Sequence, residues 1–196
     1  TKIPFPPYEF QTSDGEIIGV DVEIGQAIAD ELGVDLEIVP VDFDEVIPAV
    51  ESGKCDIGIS GISITYERAK HVDFSVPYYS TSLSLIVPTG SEINSIEDLA
   101  SKEVGIESDT TTSYSLIQNH NTSGILAQNP CNIHTCENIS DMMLELKEGD
   151  SLDAIVIDSP TAQYFANADS NYTIIPLQME NGAVFKESNG IVVAKG

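Results

Sequence analysis

Asp153-Ala-Ile-Val-Ile-Asp158-Ser-Pro-Thr-Ala-Gln-Tyr-Phe-Ala-Asn-Ala168 opens as a strand and closes as a helix. Ala154–Ile157 is a short unbroken apolar run, as expected of a buried strand. It ends at Asp158-Ser-Pro160, and a helix follows over Thr161–Ala168. Tyr172–Pro176 reads as the next strand. Strand, helix and strand in so short a span indicate an α/β chain with mostly parallel sheets.

The same alternation runs through the whole sequence. Val20–Leu32 places Val20, Ile24, Ala27, Ile28 and Leu32 at helical spacing, and Gly33 stops the helix. Val34–Pro40 alternates as a strand. Asp42–Gly53 reads as a second helix, with Asp42 or Asp44 near its cap. Asp56–Ile59 is a short buried strand, and Tyr79–Val87 a longer one ending at Pro88. A second cycle follows: a short helix at Ser95–Leu99, a strand at Glu103–Glu107, and helices at Tyr114–Asn119 and Ser140–Glu148. Gly190–Ala194 is the last strand. The proline-rich opening, Thr1–Phe10, reads as an extended loop, and Ser13-Asp-Gly15 as a turn.

Polar residues collect just after several strands: Ser60-Gly-Ile-Ser63, Ser108–Thr112 and Asp158. Ligands of open α/β sheets bind at the carboxyl ends of strands, so these segments are the candidate site.

Composition narrows the ligand. The chain has 196 residues, 8 Lys+Arg against 32 Asp+Glu, and a formal net charge of -24. Nucleic acid and anionic membrane surfaces need basic patches and are excluded as partners. No apolar run approaches the roughly 20 residues of a membrane span. The acidic residues are spread along the chain as a solvated surface, without the alternating ligands of a calcium loop. No cofactor or metal is expected. The abrupt start at Thr1 and end at Gly196 read as a mature fragment trimmed at both ends.

Within this acidic background stands a single arginine, Arg68, in Gly61-Ile-Ser-Ile-Thr-Tyr-Glu-Arg68-Ala-Lys-His-Val-Asp-Phe-Ser-Val-Pro-Tyr-Tyr79. Its planar fork grips a carboxylate through two parallel hydrogen bonds. The alternative is an arginine paired with a neighbouring carboxylate. Three cysteines complete the inventory. Cys131 and Cys136 are read first as a small disulfide loop, then as free thiols. A zinc site with His134 comes last, as an incomplete set. Cys55 reads as a small buried apolar group. Asn121, Asn138 and Asn171 head glycosylation-type triplets, a short pattern that often arises by chance.

Taken in order, Pro7-Tyr-Glu-Phe10, Gly19-Val-Asp-Val22, Val46-Ile-Pro-Ala-Val50, the Arg68 run, Ile96-Glu-Asp-Leu99, Val104-Gly-Ile106 and Asp153–Asp158 resemble the extracellular solute-binding proteins of polar amino-acid ABC transporters, family 3. The resemblance implies a two-lobed, type II periplasmic-binding-protein fold. Each lobe is a mostly parallel sheet flanked by helices, joined by two crossover hinge strands. Lobe one would be 1–79 plus 190–196, lobe two 83–185, and the hinges 78–82 and 186–189. It also implies a monomer outside the cytoplasm, with a free amino acid bound in the interlobe cleft and delivered to a membrane permease.

The resemblance further assigns the site. Arg68 forks the ligand carboxylate, helped by amides near Ser63 and at Thr110–Thr111. Asp158 takes the ammonium, with the Gly61 carbonyl and Ser63 hydroxyl as further acceptors; a desolvated ammonium needs three. Ser60 belongs to the same turn. Phe5 and Phe43 sandwich the side chain. Against these stand plain structural roles: Asp158 as a helix cap, the two Phe as core, Ser63 as a turn cap. The family pattern is broken at Asp109-Thr-Thr-Thr112, where a Gly-Thr-Thr type turn is common. It is also broken at Lys2, where many relatives carry an acidic or hydroxyl residue. Glu107 stands where glutamine binders have a lysine, and a carboxylate in the side-chain pocket favours a basic or amide ligand, unless Lys2 neutralises it.

Two rivals share the fold. A sensor ectodomain fused to a signalling domain would have the same cleft. A cyclohexadienyl dehydratase would need a general acid, nominally Glu107 or Glu9. Neither a Ser-His-Asp nor a Cys-His set is present, and His120 and His134 fall in polar stretches read as loops. No enzyme is expected.

Overall fold

The computed structural model describes residues 1–108, 111–149, 151–178 and 186–196, leaving out the side chains of residues 111, 112 and 115. In chain order the elements are β1 (Phe10–Gln11), β2 (Ile17–Ile18), α1 (Val20–Leu32), α2 (Phe43–Glu51), β3 (Ile57–Gly58), β4 (Val72–Phe74), β5 (Tyr79–Thr81), β6 (Leu83–Pro88), β7 (Glu103–Glu107), α3 (Thr111–Thr122), β8 (Asn132–Cys136), α4 (Ile139–Glu148), β9 (Ala154–Asp158), α5 (Ser159–Ala168), β10 (Tyr172–Pro176), β11 (Glu187–Asn189) and β12 (Val192–Ala194). They divide into two compact units. The first is Thr1–Thr81 with Glu187–Gly196, the second Ser82–Lys186. None of the described helices is long and apolar enough to cross a membrane.

The second unit is built on a five-stranded sheet of order β10-β6-β9-β7-β8. Strands β7, β8, β9 and β10, each joined to the next through a helix, all run the same way. The ladder pairs β7 with β8 and with β9 in parallel, and β6 antiparallel to both β9 and β10. The inserted strand β6 follows β5 with no helix between them, so no crossover sets its direction. Leu83, Leu85, Val104, Ile106, Ile117, Leu126 and Val156 close the core of this unit.

In the first unit, β12 pairs antiparallel with both β3 and β4. The core is Val46, Val50, Ile62, Val72 and Val192, with Phe43, Cys55 and Phe74 packed against it. Helix α1 has the bounds its spacing predicts and ends on Gly33 in the left-handed conformation, whose amide bonds back to the Ala29 and Asp30 carbonyls.

Four expectations are corrected. Val34–Pro40 carries no ladder: alternation reports which face is apolar, but a strand also needs a neighbour's donors and acceptors alongside. Val39 and Val41 instead exchange backbone bonds with Thr1. Tyr79–Val87 is two strands, because β5 pairs with β11 in the first unit and β6 with strands of the second. His120 lies in α3 and His134 in β8 rather than in loops. Finally, Cys131 and Cys136 are both free. Five positions of extended chain separate them, roughly 16 Å, where a disulfide needs Cα atoms within about 7 Å.

Candidate functional site

In the first unit the polar turn after β3 is held by a short antiparallel run. Ile64 N–H donates to the Ser188 carbonyl at 2.8 Å and Gly190 N–H to the Ile62 carbonyl at 3.0 Å. Ser63 therefore faces Asn189 across the run. This pairing brings Ser63 to Glu187: the serine hydroxyl donates to the glutamate Oε2 at 2.7 Å.

Arg68 opens the single helical turn Arg68–Lys70. Its backbone N–H donates to Thr65 Oγ1 at 3.2 Å. Its side chain folds back, and Nη1 donates to the Ser63 carbonyl at 3.0 Å. The guanidinium carbon lies 5.0 Å from the centre of the Phe43 ring, a cation–π distance. Burial lowers the Arg68 pKa and the Glu187 charge acts the other way; the group remains a cation. A guanidinium has five N–H donors. Among the described residues this one makes a single side-chain hydrogen bond, so most of its fork is available to an anion.

The candidate residues of the first unit divide by role. Phe43 carries the cation from below and packs on the core. Phe5 is buried and stacks on Tyr8 with ring centroids 5.1 Å apart. Gly61 adopts φ +55°, and a Cβ there would stand 2.9 Å from Phe5 Cε1. Only glycine lets the turn lie against that ring. Ser60 is fully buried. Its hydroxyl donates to Glu9 and accepts from the Lys2 N–H at 3.0 Å. Its role is therefore to fix the turn.

Beneath the turn lie two buried acids; sequence reasoning named Glu9 only as a nominal general acid of the enzyme rival and did not single out Asp21. Asp21 Oδ2 accepts from Gly61 N–H at 2.7 Å and from the Tyr78 hydroxyl at 3.0 Å. Glu9 accepts from Ser60. Burial, then the Asp21 charge, pushes the Glu9 pKa well up. Burial also raises Asp21, against the lowering effect of the Gly61 amide. Both acids stand inside quoted motifs, Pro7-Tyr-Glu-Phe10 and Gly19-Val-Asp-Val22. The missing signal was their burial, which acidic letters do not announce. Glu187 was missed too, because nothing in the sequence shows that it returns beside Ser63.

In the second unit Asp158 ends β9 and stands at the N-cap position of α5, half-buried. Its carboxylate makes no capping hydrogen bond, so the cap reading does not account for it. Glu107 ends β7 and is 2% exposed. Thr111 is the first residue of α3; Thr110 lies outside the described residues. His134 pairs with Glu103 and Asn121 with the Cys131 backbone. No His/Cys/Asp/Glu group that could hold a metal occurs among the described residues.

Comparisons with known proteins agree on one kind of protein. The family model for bacterial extracellular solute-binding proteins, family 3, matches residues 1–191. The L-arginine-binding protein of Pseudomonas aeruginosa is 30% identical over 196 residues, 98% of this chain and 73% of that protein. The L-cystine-binding protein TcyJ of Escherichia coli K12 is 28% identical over 194 residues, 98% of this chain and 68% of that one. Among solved structures, an ancestral arginine-binding protein bound to arginine superposes with a TM-score of 0.84 at 36% identity, covering 98% of this chain and 81% of the other. The fold is thus that of the type II periplasmic amino-acid-binding proteins.

Proposed function

Because this chain belongs to the bacterial extracellular solute-binding proteins, family 3, we propose that it binds one free L-amino acid, polar or basic, outside the cytoplasm and delivers it to the permease of an ABC transporter. The observation that carries this reading is Arg68. It is half-buried, held by the Ser63 carbonyl and the Phe43 ring, and has donors left for a carboxylate.

The ammonium end follows from the same chemistry. Ser63 donates its proton to Glu187, which leaves its oxygen lone pairs to accept. The Gly61 carbonyl is a second acceptor. Asp158, not engaged as a cap, is the charged third. Arg68 belongs to the first unit and Asp158 to the second. An amino acid held by both gains contacts only when the two lobes meet on it, which favours the closed arrangement. In this reading the lobes are 1–79 plus 190–196 and 83–185, turning about 78–82 and 186–189, in a monomer. Phe5 and Phe43 flank the ligand side chain, amides at Thr110 and Thr111 assist its carboxylate, and Glu107 selects a basic or amide group. The relatives named for arginine support L-arginine as the first ligand to try.

The test is thermal melting against the twenty amino acids and ornithine. At 100 times its Kd a ligand adds about 2.7 kcal/mol, a rise of roughly 5–11 °C for a chain this long. The expected result is such a rise with one or two polar or basic amino acids, lost in Arg68→Ala and Asp158→Ala. No rise with any of them, in folded protein stripped of carried-over ligand, would overturn the assignment.

A further inference from the structure

Glu9 and Asp21 are both almost wholly buried, at 0% and 3% exposure, in a chain of net charge -24. Their four oxygens can be followed one by one. Glu9 Oε1 accepts from the Ser60 hydroxyl. Asp21 Oδ2 accepts from Gly61 N–H and the Tyr78 hydroxyl. The other two oxygens, Glu9 Oε2 and Asp21 Oδ1, are buried and receive no donor from the protein. The carboxyl groups meet at adjacent residues, Ser60 and Gly61, and the Asp21 N–H donates to the Tyr8 carbonyl at 3.0 Å, next to Glu9 in the chain. Two bare carboxylates in that position would repel with nothing between them; one proton would satisfy both orphaned oxygens.

We propose that Glu9 and Asp21 share one proton at a pH where surface carboxylates have lost theirs, and that this pair is the positioning device for the Ser60–Gly61 turn of the ligand site. The proton sits on Glu9. Asp21 receives a backbone amide and a tyrosine hydroxyl and lies in the first turn of α1, where the helix dipole favours a negative charge; Glu9 is the more deeply buried and is met by hydroxyl donors alone. The pair reaches the site directly, through Ser60 and the Gly61 amide. It also fixes Tyr78, whose N–H bonds the Asn189 carbonyl at 3.0 Å, at the register that places Ser63 beside Glu187. The titratable groups facing the pair are Tyr78 and the Thr1 amino group. Removal of the shared proton sets two like charges against each other under the turn and misplaces the Gly61 carbonyl. Protonation of the pair and amino-acid binding are thus linked, each favouring the other. This coupling rests on the ligand reading above; the shared proton itself does not.

The experiment has two readouts on the same proteins: wild type, Glu9→Gln and Asp21→Asn. The first is the Tm of ligand-free protein from pH 5 to 8.5. A carboxyl raised by folding stabilises most below its ordinary pKa and loses that contribution as pH rises through the raised value. The Tm difference between wild type and Glu9→Gln should therefore shrink or reverse as pH rises, since the glutamine amide donates to Asp21 at every pH. The double variant Glu9→Gln/Asp21→Asn sets amide donors face to face, and its Tm should fall below that of either single one. The second readout is L-arginine affinity by calorimetry over the same range. A fall of about tenfold toward alkaline pH is expected in wild type, with a flatter profile in Glu9→Gln. A Tm difference without slope overturns the shared proton. An affinity profile in Glu9→Gln parallel to wild type overturns the positioning role. If L-arginine and the other amino acids fail to bind while the Tm difference keeps its slope, the ligand reading fails and the proton sharing stands.

Discussion

Lysine at position 68 would keep the charge and lose the fork. The Arg68 side chain reaches back to the Ser63 carbonyl with one nitrogen, lies over Phe43, and keeps its remaining donors in a plane. A lysine ammonium cannot stack or bond in two parallel lines. Arg68→Lys should therefore weaken L-arginine binding by roughly 10- to 150-fold, the worth of one charge-assisted hydrogen bond of about 1.5–3 kcal/mol. Its Tm should change by only a few degrees. Calorimetry and melting on the same preparation separate the two effects; equal affinity in both proteins would remove Arg68 from the site. Gly61 is the opposite case. Its alanine variant places a methyl against Phe5 at φ +55°, a strain of about 1–3 kcal/mol. A Tm drop of roughly 2–12 °C is expected, and an unchanged Tm would show that the turn relaxes freely. At this scale the sequence singled out Arg68 by its solitude and Asp158 by its place after an apolar run, both as candidates. The burial of Glu9 and Asp21 and the pairing of Glu187 with Ser63 stayed hidden, because burial and a partner more than a hundred residues away leave no mark on the local letters.

The strands that sequence reading located well were those with apolar residues running through them. Glu103–Glu107 and Tyr172–Pro176 kept their predicted bounds, and Ala154–Ile157 gained only Asp158. Strand β8 went unread. It is an edge strand whose residues alternate weakly, and Asn132, His134 and Thr135 are not apolar. Its geometry settles the cysteines. Cys131 is buried and its backbone is tied to Asn121 by reciprocal bonds of 3.0 Å. Cys136 is half-buried five positions on. Burial pushes both thiols up, so neither is a strong nucleophile at neutral pH. Iodoacetamide on the native protein should label Cys136 slowly and Cys131 only after unfolding, with no change in Tm on adding a reductant. Mass spectrometry showing a mass two units lower, or a reductant-sensitive Tm, would contradict this placement. The same ties predict that Asn121→Asp, which removes the donor to the Cys131 carbonyl, costs about 1–3 kcal/mol and shows as a lowered Tm.

Each unit has its own core, and the two are unequal. The second closes around Leu83, Leu85, Val104, Ile106, Ile117 and Val156 on a five-stranded sheet. The first relies on Val46, Val50, Ile62, Val72 and Val192 over three short strands, with a buried acid pair beside them. Apolar burial contributes roughly 25 cal/mol per Å², so the first unit is expected to unfold first. Calorimetry of the ligand-free protein should resolve two overlapping transitions, the earlier one belonging to the first unit. A ligand that binds groups of both units stabilises the folded pair together. L-arginine should therefore move the earlier transition toward the later one until they merge, and Arg68→Ala should keep them apart. One transition in every condition would mean that the units already fold as a single cooperative body.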